Sequence, residues 1–539
     1  MRYVTLVLAV GLTLACGTGQ SAPGIPHDFQ GVVVAASPEA AEAGAHILAL
    51  GGNAIDAAVA VSFALGVTEP AMSGIGGQSQ ILLHARGEAP IVINGTSYSP
   101  RRTPTDAAAA DVEGHRATTI PTTVRVMEYA WTHHGSGNVA WSDLLAPAIR
   151  FAEEGFTVGP FRHKVWARHG DQLRADTVVA RLFLDEDGDV PRKGTVWRQP
   201  VLARTLRRLA DQGAADFYSG EIAQAIAADM EASGGWIRLD DLAELPPPFE
   251  RAPLHESYRG WDVYTLPPPG GGWVVLQILN LLEQSAPAAL HPDSVSRTAL
   301  VARALDIAHG NRRSDPVTNL REYDADVRDR ISKDAARQMF LRENRGSGET
   351  THFSIVDADG MAVSVTASIN AYFGARAATA SLGFLYNSYM DEYVVGFPEH
   401  PFALRPDAMP YSSMSPTILA RDSRPVLVLG SPGSARIISA VAQVVQLWTD
   451  GGLSIVDAVA APRLHAQPEK RFYYEARRVP RRIRRQAESS GYSVESVAWD
   501  LSIAGLNAYF GGVHAVALED TIWIGAADPR RDGAVAYAR

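Results

Sequence analysis

The fold is decided by the stretch Glu349-Thr350-Thr351-His352-Phe353-Ser354, which continues as Ile355-Val356-Asp357-Ala358-Asp359-Gly360. Its short apolar run, ending in an Asp-Gly turn, predicts the first strand of a β-hairpin with adjacent threonines at its start. An internal threonine is ordinarily inert. It becomes a nucleophile when the bond before it is cut, because the freed α-amine can act as its base. The stretch therefore fits either an ordinary strand threonine or the nucleophile of a self-cleaving enzyme.

The composition is that of an ordinary globular protein. Of its 539 residues 46% are hydrophobic and 20% are charged, so the chain can bury a large core. The formal net charge of −10 argues against nucleic acid as the main partner. One basic cluster fits the exposed face of a late helix better than a polyanion site. It comprises Arg477, Arg478, Arg481, Arg482, Arg484 and Arg485.

Residues 1–24 are predicted to be a signal segment and tether that lies outside the fold. Arg2 supplies a positive charge, and Tyr3 to Ala15 form an apolar run that is too short for a membrane-spanning helix. Cys16, the only cysteine of the chain, ends this run as in a bacterial lipobox. We therefore expect an exported periplasmic or cell-envelope protein with a lipid anchor on Cys16, and soluble secretion is the alternative.

The pattern along the chain changes from helical to strand-rich. Helical periodicity follows Ser37-Pro38 and Asn53, and it returns at residues 141–154 and 201–233. After Gly348 the chain turns to short apolar strands, at residues 353–356, 362–368, 426–429 and 513–518. With no long linker between the two portions, the pattern predicts one α+β body or a layered sandwich.

A series of short motifs gives the chain a family resemblance. The motifs are Gly51-Gly52-Asn53-Ala54-Ile55-Asp56-Ala57-Ala58, Gly74-Ile75-Gly76-Gly77, Pro267-Pro268-Pro269, Thr350-Thr351-His352, Ser412-Ser413-Met414-Ser415-Pro416-Thr417, Gly430-Ser431-Pro432-Gly433, Ala461-Pro462-Arg463 and Asp528-Pro529-Arg530. Each is weak alone. In this order the chain resembles a γ-glutamyltranspeptidase, a member of the N-terminal-nucleophile hydrolases, over nearly all of residues 31–539.

The resemblance implies a four-layer αββα sandwich that is made as a proenzyme and cleaves itself between Glu349 and Thr350. A large, α-rich subunit would comprise residues 25–349, and a small subunit that bears the nucleophile would comprise residues 350–539. The two subunits would form one body. The resemblance implies a small-molecule amide substrate. We expect no cofactor, and nothing in the sequence resembles a metal site, because the adjacent His133 and His134 side chains would diverge on any regular element.

The catalytic residues follow from the same resemblance. Thr350 Oγ would attack the Glu349 carbonyl during maturation and a substrate amide afterwards, with its own α-amine as base. Ser368 stands where the family usually has threonine, and it keeps the hydroxyl that would position Thr350. Gly433 matches the first glycine of an oxyanion hole. Ser434 stands at the second, and it offers an N–H if its backbone can adopt the required angles.

Three matches to the family place the substrate. Asn370 corresponds to the asparagine that helps to hold the α-amino end, and Ser412 and Ser413 correspond to the pair that hydrogen-bonds the substrate carboxylate. An ordinary strand or turn role is the alternative for each of these residues.

Other substrate positions depart from the family. Thr96 occupies the place of the arginine that clamps the α-carboxylate, and this loss is not conservative. Tyr389 replaces the polar residue that meets the amino group. Glu392 stands where the family has aspartate, so the acidic side chain is longer here. The positive charge of the missing arginine could instead come from Arg101, Arg102 or Arg376. An exposed position on the surface is the simpler interpretation of these three arginines. Without such a cation we expect weak use of γ-glutamyl donors.

The sequence thus leaves three functions open. The first is a self-processing threonine amidohydrolase or acyltransferase acting on γ-glutamyl-type amides such as glutathione, with an altered α-carboxylate pocket. The second is the same mechanism on a different amide or acyl-amide. The third is a non-catalytic, envelope-anchored binding protein on a decayed hydrolase scaffold, which would not need Thr350, Ser368 or Gly433.

Overall fold

A computed structural model describes most of the chain. It covers residues 29–314 except 295, then 327 and 330–333, and residues 350–539 except 397, 399, 401, 469, 476, 477 and 498–500. The predicted signal segment at residues 1–24, with Cys16, lies outside the described residues. So do Glu349, on one side of the predicted cleavage site, and Arg477.

The described helices lie mainly before residue 315. They are α1 (Pro38–Ala49), α2 (Ala54–Thr68), α3 (Thr123–His134), α4 (Trp141–Glu154), α5 (Pro160–Arg174), α6 (Thr177–Phe183), α7 (Pro200–Gln212), α8 (Asp216–Ser219), α9 (Glu221–Ala232), α10 (Leu239–Ala243), α11 (Gly272–Glu283), α12 (Pro287–Leu290), α13 (Arg297–Ser314), α14 (Ala435–Thr449), α15 (Ile455–Ala460) and α16 (Arg481–Ser489).

The described strands are β1 (Gly31–Ala35), β2 (Gln78–His84), β3 (Ile91–Asn94), β4 (Phe156–Thr157), β5 (Val196–Trp197), β6 (Phe249–Arg251), β7 (Leu254–Tyr258), β8 (Trp261–Thr265), β9 (Thr351–Asp357), β10 (Ala362–Ser368), β11 (Thr417–Arg421), β12 (Arg424–Gly430), β13 (Leu464–Gln467), β14 (Arg471–Tyr474), β15 (Ser493–Ser496), β16 (Ser502–Ile503), β17 (Leu506–Asn507), β18 (His514–Glu519), β19 (Ile522–Ala527) and β20 (Ala534–Ala538).

Two antiparallel sheets form the centre of the protein. Within the described residues, one has the order β20-β1-β9-β10-β2-β3-β6 and the other the order β19-β18-β12-β11-β8-β7. Strands β9 and β10, which belong to the predicted small subunit, lie between β1 and β2 of the predicted large subunit. A cut before Thr350 would therefore leave two chains in one sheet. The proposed subunit boundaries themselves remain a prediction.

Hydrophobic residues on alternating faces of the strands hold four layers together. In β9, Val356 packs between the sheets, whereas Phe353 and Ile355 face a core shared with α1, α2 and α4. On the other side, residues of β11 and β12 pack against α11, α13 and α14. The layers are helix, sheet, sheet and helix, which confirms the predicted αββα sandwich.

Side-chain caps set two of the predicted helix starts. Ser37 caps α1 by accepting a hydrogen bond from the Ala40 N–H, and Asn53 and Asp56 form a capping box on α2. The segment at 201–233, which was predicted to be helical, comprises three helices. It is interrupted at Gly213, where φ is +79°, and at Gly220. The exposed arginines 481, 482, 484 and 485 lie on α16, as predicted.

Two of the family motifs form a buried ion-pair network. Arg463 Nη1 lies 2.6 Å from Asp528 Oδ2, and Arg530 Nη2 lies 2.6 Å from Glu475 Oε2. Arg463 also donates to the Phe510 carbonyl, directly before Gly511. Buried charges need such partners. The network thus supports the loop around Gly511, which approaches the predicted oxyanion loop.

Candidate active site

Thr350 lies directly before β9, and the alternation of side chains along that strand places it on the face that looks into the space between the sheets. The pairing of Thr351 with Ala367 places Thr350 opposite Ser368 when the register is extended by one residue, and Ser368 in turn pairs with Gln78. Because side chains alternate along a strand, Thr350 shares a face with Ser354 and Val356. Thr350 is 3% exposed. The predicted nucleophile and its positioning hydroxyl therefore lie side by side.

The phenol of Tyr389 connects this pair to the next predicted residues. Burial raises the pKa of Tyr389, while hydrogen bonding to Ser368, Gln78 and Ser412 opposes that rise. The phenol is therefore neutral at physiological pH and can donate a proton in a hydrogen bond. It links the hydroxyl beside Thr350 with the predicted carboxylate-binding serine, a role that the sequence analysis did not assign to it.

Asn370 and Glu392 meet on the other side of Ser368. The Asn370 N–H donates to Ser368 Oγ at 2.7 Å, and its Nδ2 donates to the Ser388 carbonyl at 3.0 Å. Burial raises the pKa of Glu392 to about 7, against the lowering effects of Arg312 and of a hydrogen bond with Asn370. The structure thus brings together the two residues predicted to meet an amino group.

The predicted oxyanion loop lies at the start of a helix. Gly433 has φ +125°, and a Cβ there would lie 3.0 Å from Gly511 Cα. Ser434, which caps α14, has φ 67° and ψ −145°. It adopts the left-handed backbone that a glycine would favour, and such a conformation costs about 1–3 kcal/mol. The 15-residue helix behind these N–H groups favours negative charge at this end.

The neighbours of Thr350 in the motif have structural roles. His352 lies 3.0 Å from Thr366 Oγ1 through Nδ1 and 3.0 Å from Ser354 Oγ through Nε2, and burial lowers its pKa well below the usual range. It is a packed strand residue, as predicted. Thr351 points to the opposite face, where its hydroxyl donates to Glu69 Oε2 at 2.6 Å.

Ser412 and Ser413 contact a buried arginine that the sequence analysis missed. Arg312, in the last turn of α13, donates through Nη2 to Ser413 Oγ at 2.9 Å and to the Ser412 carbonyl at 3.2 Å. Its Nε donates to the Tyr411 hydroxyl at 2.8 Å, and its guanidinium lies 4.4 Å from the centre of that ring. No sequence motif marks Arg312, since it lies about one hundred residues before its partners.

Thr96 is buried and already hydrogen-bonded. Its hydroxyl donates to Asn94 Oδ1 at 2.7 Å and accepts from Gln80 Nε2 at 2.5 Å. Gln80 follows Gln78 on the same face of β2, so this cluster borders the space between the sheets. Thr96 offers no charge and no free hydroxyl proton to a ligand.

The three arginines considered as replacements are on the surface. Arg101 lies 2.6 Å from Glu244, and Arg102 lies 2.8 Å from Asp240, in exposed ion pairs. Arg376 is exposed as well. The structure thus supports the simpler interpretation of these three arginines, which is an exposed position.

In the part of the chain that is described, no group of three or more His, Cys, Asp or Glu side chains is placed to hold a metal ion. Within the same residues, no helix combines the length and the apolar character needed to cross a bilayer.

Comparisons with known proteins agree with the motifs. The family model for gamma-glutamyltranspeptidase matches residues 40–538. The chain is 32% identical to a glutathione hydrolase proenzyme from Escherichia coli (strain K12), over 81% of each chain. It is also 32% identical to the Acylase ACY 1 proenzyme from Pseudomonas sp. (strain V22), over 94% of this chain and 93% of the relative.

A solved structure extends this similarity to the fold. The cephalosporin acylase from Bacillus halodurans superposes with a TM-score of 0.85 at 27% identity, covering 96% of this chain and 99% of the acylase. A gamma-glutamyltranspeptidase from Helicobacter pylori, 28% identical, covers 59% of this chain with a TM-score of 0.54. The protein is thus an enzyme with hydrolase activity of the γ-glutamyltransferase and acylase type, and it belongs to the γ-glutamyltranspeptidase family.

Proposed function

We propose that the protein is a self-processing N-terminal-threonine amidohydrolase that acts on γ-glutamyl-type amides through an altered carboxylate pocket. The observation that carries this proposal is the position of Thr350, which is buried directly before β9 and lies opposite Ser368 when the register of β9 and β10 is extended by one residue. Tyr389 and Asn370 extend this pair toward the remaining predicted substrate residues. A passive binding protein would not require this arrangement.

Maturation would begin at the bond before Thr350. Its hydroxyl oxygen attacks the Glu349 carbonyl carbon, and the acyl group moves from nitrogen to oxygen. Water then hydrolyses this ester, which leaves a carboxylate on Glu349 and a free α-amine on Thr350. That amine is the base that an N-terminal threonine needs.

Turnover would repeat the attack on a substrate amide. The α-amine takes the Thr350 hydroxyl proton while Oγ bonds to the carbonyl carbon, and the oxyanion accepts hydrogen bonds from the Gly433 and Ser434 N–H groups. The proton passes to the leaving amine as the C–N bond breaks. Water, or an acceptor amine, then cleaves the acyl-threonine ester. Water gives hydrolysis, and an amine gives transfer.

Recognition of the acyl group would involve both sides of the pocket. Asn370 and Glu392 are placed to meet an α-amino group, and Ser412 and Ser413 to meet a carboxylate. Thr96 removes one charge-assisted contact, which typically contributes about 1.5–3 kcal/mol. Because about 1.4 kcal/mol corresponds to a factor of ten, the loss of that one contact lowers affinity roughly tenfold to hundredfold.

A second candidate is hydrolysis of an amide whose acyl group lacks the α-amino group. Tyr389 favours it, since a buried phenol replaces the polar residue expected beside an ammonium. The similarity to the Acylase ACY 1 proenzyme over 94% of the chain also supports it.

The test begins with a denaturing gel of purified protein. We expect two unequal fragments, the smaller starting with Thr350 on N-terminal sequencing, and one uncut chain for Thr350→Ala. A single band from the unmutated, folded protein would refute both enzymatic proposals. Hydrolysis rates for γ-glutamyl-p-nitroanilide and glutaryl-p-nitroanilide, which differ only in the α-amino group, then separate the two candidates.

A further inference from the structure

We propose that Arg312 is the cation that binds the carboxylate of the acyl group, in place of the arginine that Thr96 replaces. This inference rests on the proposed function, because it assigns a residue to the substrate pocket. The positive charge would come from the last turn of α13 and reach the pocket behind Ser413. The site would then retain its preference for anionic acyl groups.

The first support is the fixed position of the guanidinium. Arg312 is 6% exposed, and hydrogen bonds hold both its Nε and its Nη2. The ring of Tyr411 lies against one face of it and itself contacts Phe402, at 4.5 Å between ring centres. A guanidinium held in this way loses little freedom when a carboxylate binds.

The second support is an unused donor. Nη1 of Arg312 is buried and has no hydrogen-bond partner within the described part of the chain. A buried polar group without a partner is costly, and more so when it is charged. Hydrogen bonds from Nη1 and the Ser413 hydroxyl to one carboxylate would satisfy it, as charge-assisted bonds of the stronger kind.

The third support is the charge of the surroundings. Among the described residues, no Asp or Glu forms an ion pair with Arg312, and Glu392 is the carboxyl group that it influences electrostatically. Burial raises the pKa of Glu392 to about 7, which weakens its negative charge near neutral pH. The described part of the protein therefore balances the positive charge of Arg312 incompletely, and an anionic ligand would complete the balance.

The ordinary alternative is that Arg312 only supports the loop at residues 411–413. The two roles differ in which substrates they affect. A supporting arginine would change the turnover of every substrate alike, whereas a carboxylate-binding arginine discriminates between charged and uncharged acyl groups.

The experiment compares glutaryl-p-nitroanilide with butyryl-p-nitroanilide, which lacks the distal carboxylate. We expect Arg312→Gln to lower kcat/KM for the glutaryl substrate tenfold to hundredfold relative to the butyryl substrate. Arg312→Lys should recover part of the loss, because it keeps the charge but not the fork of donors. Arg101→Gln, at an exposed arginine paired with Glu244, is the matched control and should leave the ratio unchanged.

A gel for self-cleavage accompanies each variant. If Arg312→Gln is not processed, Arg312→Lys carries the same comparison. An unchanged glutaryl-to-butyryl ratio in processed variants would overturn the inference alone, and so would a wild-type enzyme that does not favour the glutaryl substrate. Failure of the unmutated protein to self-cleave, or to hydrolyse any anilide, would instead count against the proposed function.

Discussion

The hydroxyl of Thr351 donates a hydrogen bond of 2.6 Å to Glu69 Oε2, beneath the strand β9 that directly follows Thr350. Glu69 follows α2 and is 1% exposed, so β9 is fixed from the helix side as well as from the sheet. Burial raises the pKa of Glu69 to about 7, although Arg531, Thr351 and Arg162 lower it. A group that titrates near neutrality therefore lies directly behind the nucleophile's strand.

This pKa predicts a specific pH dependence of stability. A carboxyl group whose pKa is higher in the folded than in the unfolded state binds protons more tightly when folded. Its contribution to the free energy of unfolding is full below about pH 4.5 and is lost as the pH rises to about 7. Glu69→Gln cannot titrate, so the stability of the variant relative to the parent should rise between pH 5 and 8.

Urea unfolding at both pH values, in the uncut Thr350→Ala background, would measure this difference. The uncut background keeps one chain and one transition. Glu186→Gln, at an exposed position, is the control and should show no such change with pH. If the free energy of unfolding of Glu69→Gln differed from that of its parent by the same amount at pH 5 and at pH 8, the raised pKa of Glu69 would be contradicted.

The sequence predicted the scaffold of this site well because its signals are local. The caps at Ser37 and Asn53, and the apolar run and Asp-Gly turn that follow Thr350, act within a few residues, so they can be identified without the structure. Arg312 and Glu69 could not be identified in this way. Each contacts its partner across one hundred residues or more, and only packing of the layers brings them together.

The departures from the family were harder to interpret than the matches. The sequence shows that an uncharged threonine stands at position 96, but the hydrogen bonds of Thr96 with Gln80 and Asn94 depend on tertiary structure. The expectation of weak γ-glutamyl turnover assumed that no other cation reaches the pocket. If Arg312 binds the substrate carboxylate as we propose, that assumption does not hold, since this arginine contacts both Ser412 and Ser413.

Ser434→Gly is predicted to stabilise the protein without loss of activity. At φ 67° a serine is strained, whereas glycine is not, and glycine loses only part of this gain to its greater freedom when unfolded. The Ser434 hydroxyl is buried with no hydrogen-bond partner among the described residues, so its removal breaks no bond. We expect the free energy of unfolding to rise by about 1 kcal/mol.

The measurement is chemical unfolding in the uncut background, with anilide hydrolysis by the processed enzyme alongside. Ser434→Ala is the matched control, because it removes the hydroxyl but keeps the strained backbone. The idea would be abandoned if the alanine and glycine variants were equally stable.

The location of the protein is predicted to depend on Cys16. If this residue is acylated, Cys16→Ser should move the protein from the membrane fraction to the soluble fraction. Self-cleavage should be unchanged, because the anchor precedes β1 and the described fold begins after it. Several acyl chains on one cysteine anchor firmly, whereas one binds reversibly. Fractionation followed by mass spectrometry of the N-terminus tests this, and a wholly soluble unmutated protein would exclude the lipid anchor.

Thr96→Arg tests which residue now supplies the positive charge for the substrate carboxylate. If Arg312 does so, a second guanidinium adds little, and kcat/KM for γ-glutamyl-p-nitroanilide should change by less than about threefold. In the Arg312→Gln background the same substitution should raise it tenfold or more, the usual effect of restoring a charged hydrogen bond. Butyryl-p-nitroanilide turnover and self-cleavage show whether each variant remains folded, since Thr96 is buried against Gln80. A tenfold gain from Thr96→Arg alone would mean that the carboxylate has no cation in the unmutated enzyme, and Arg312 would then be a support of the loop and not a partner of the substrate.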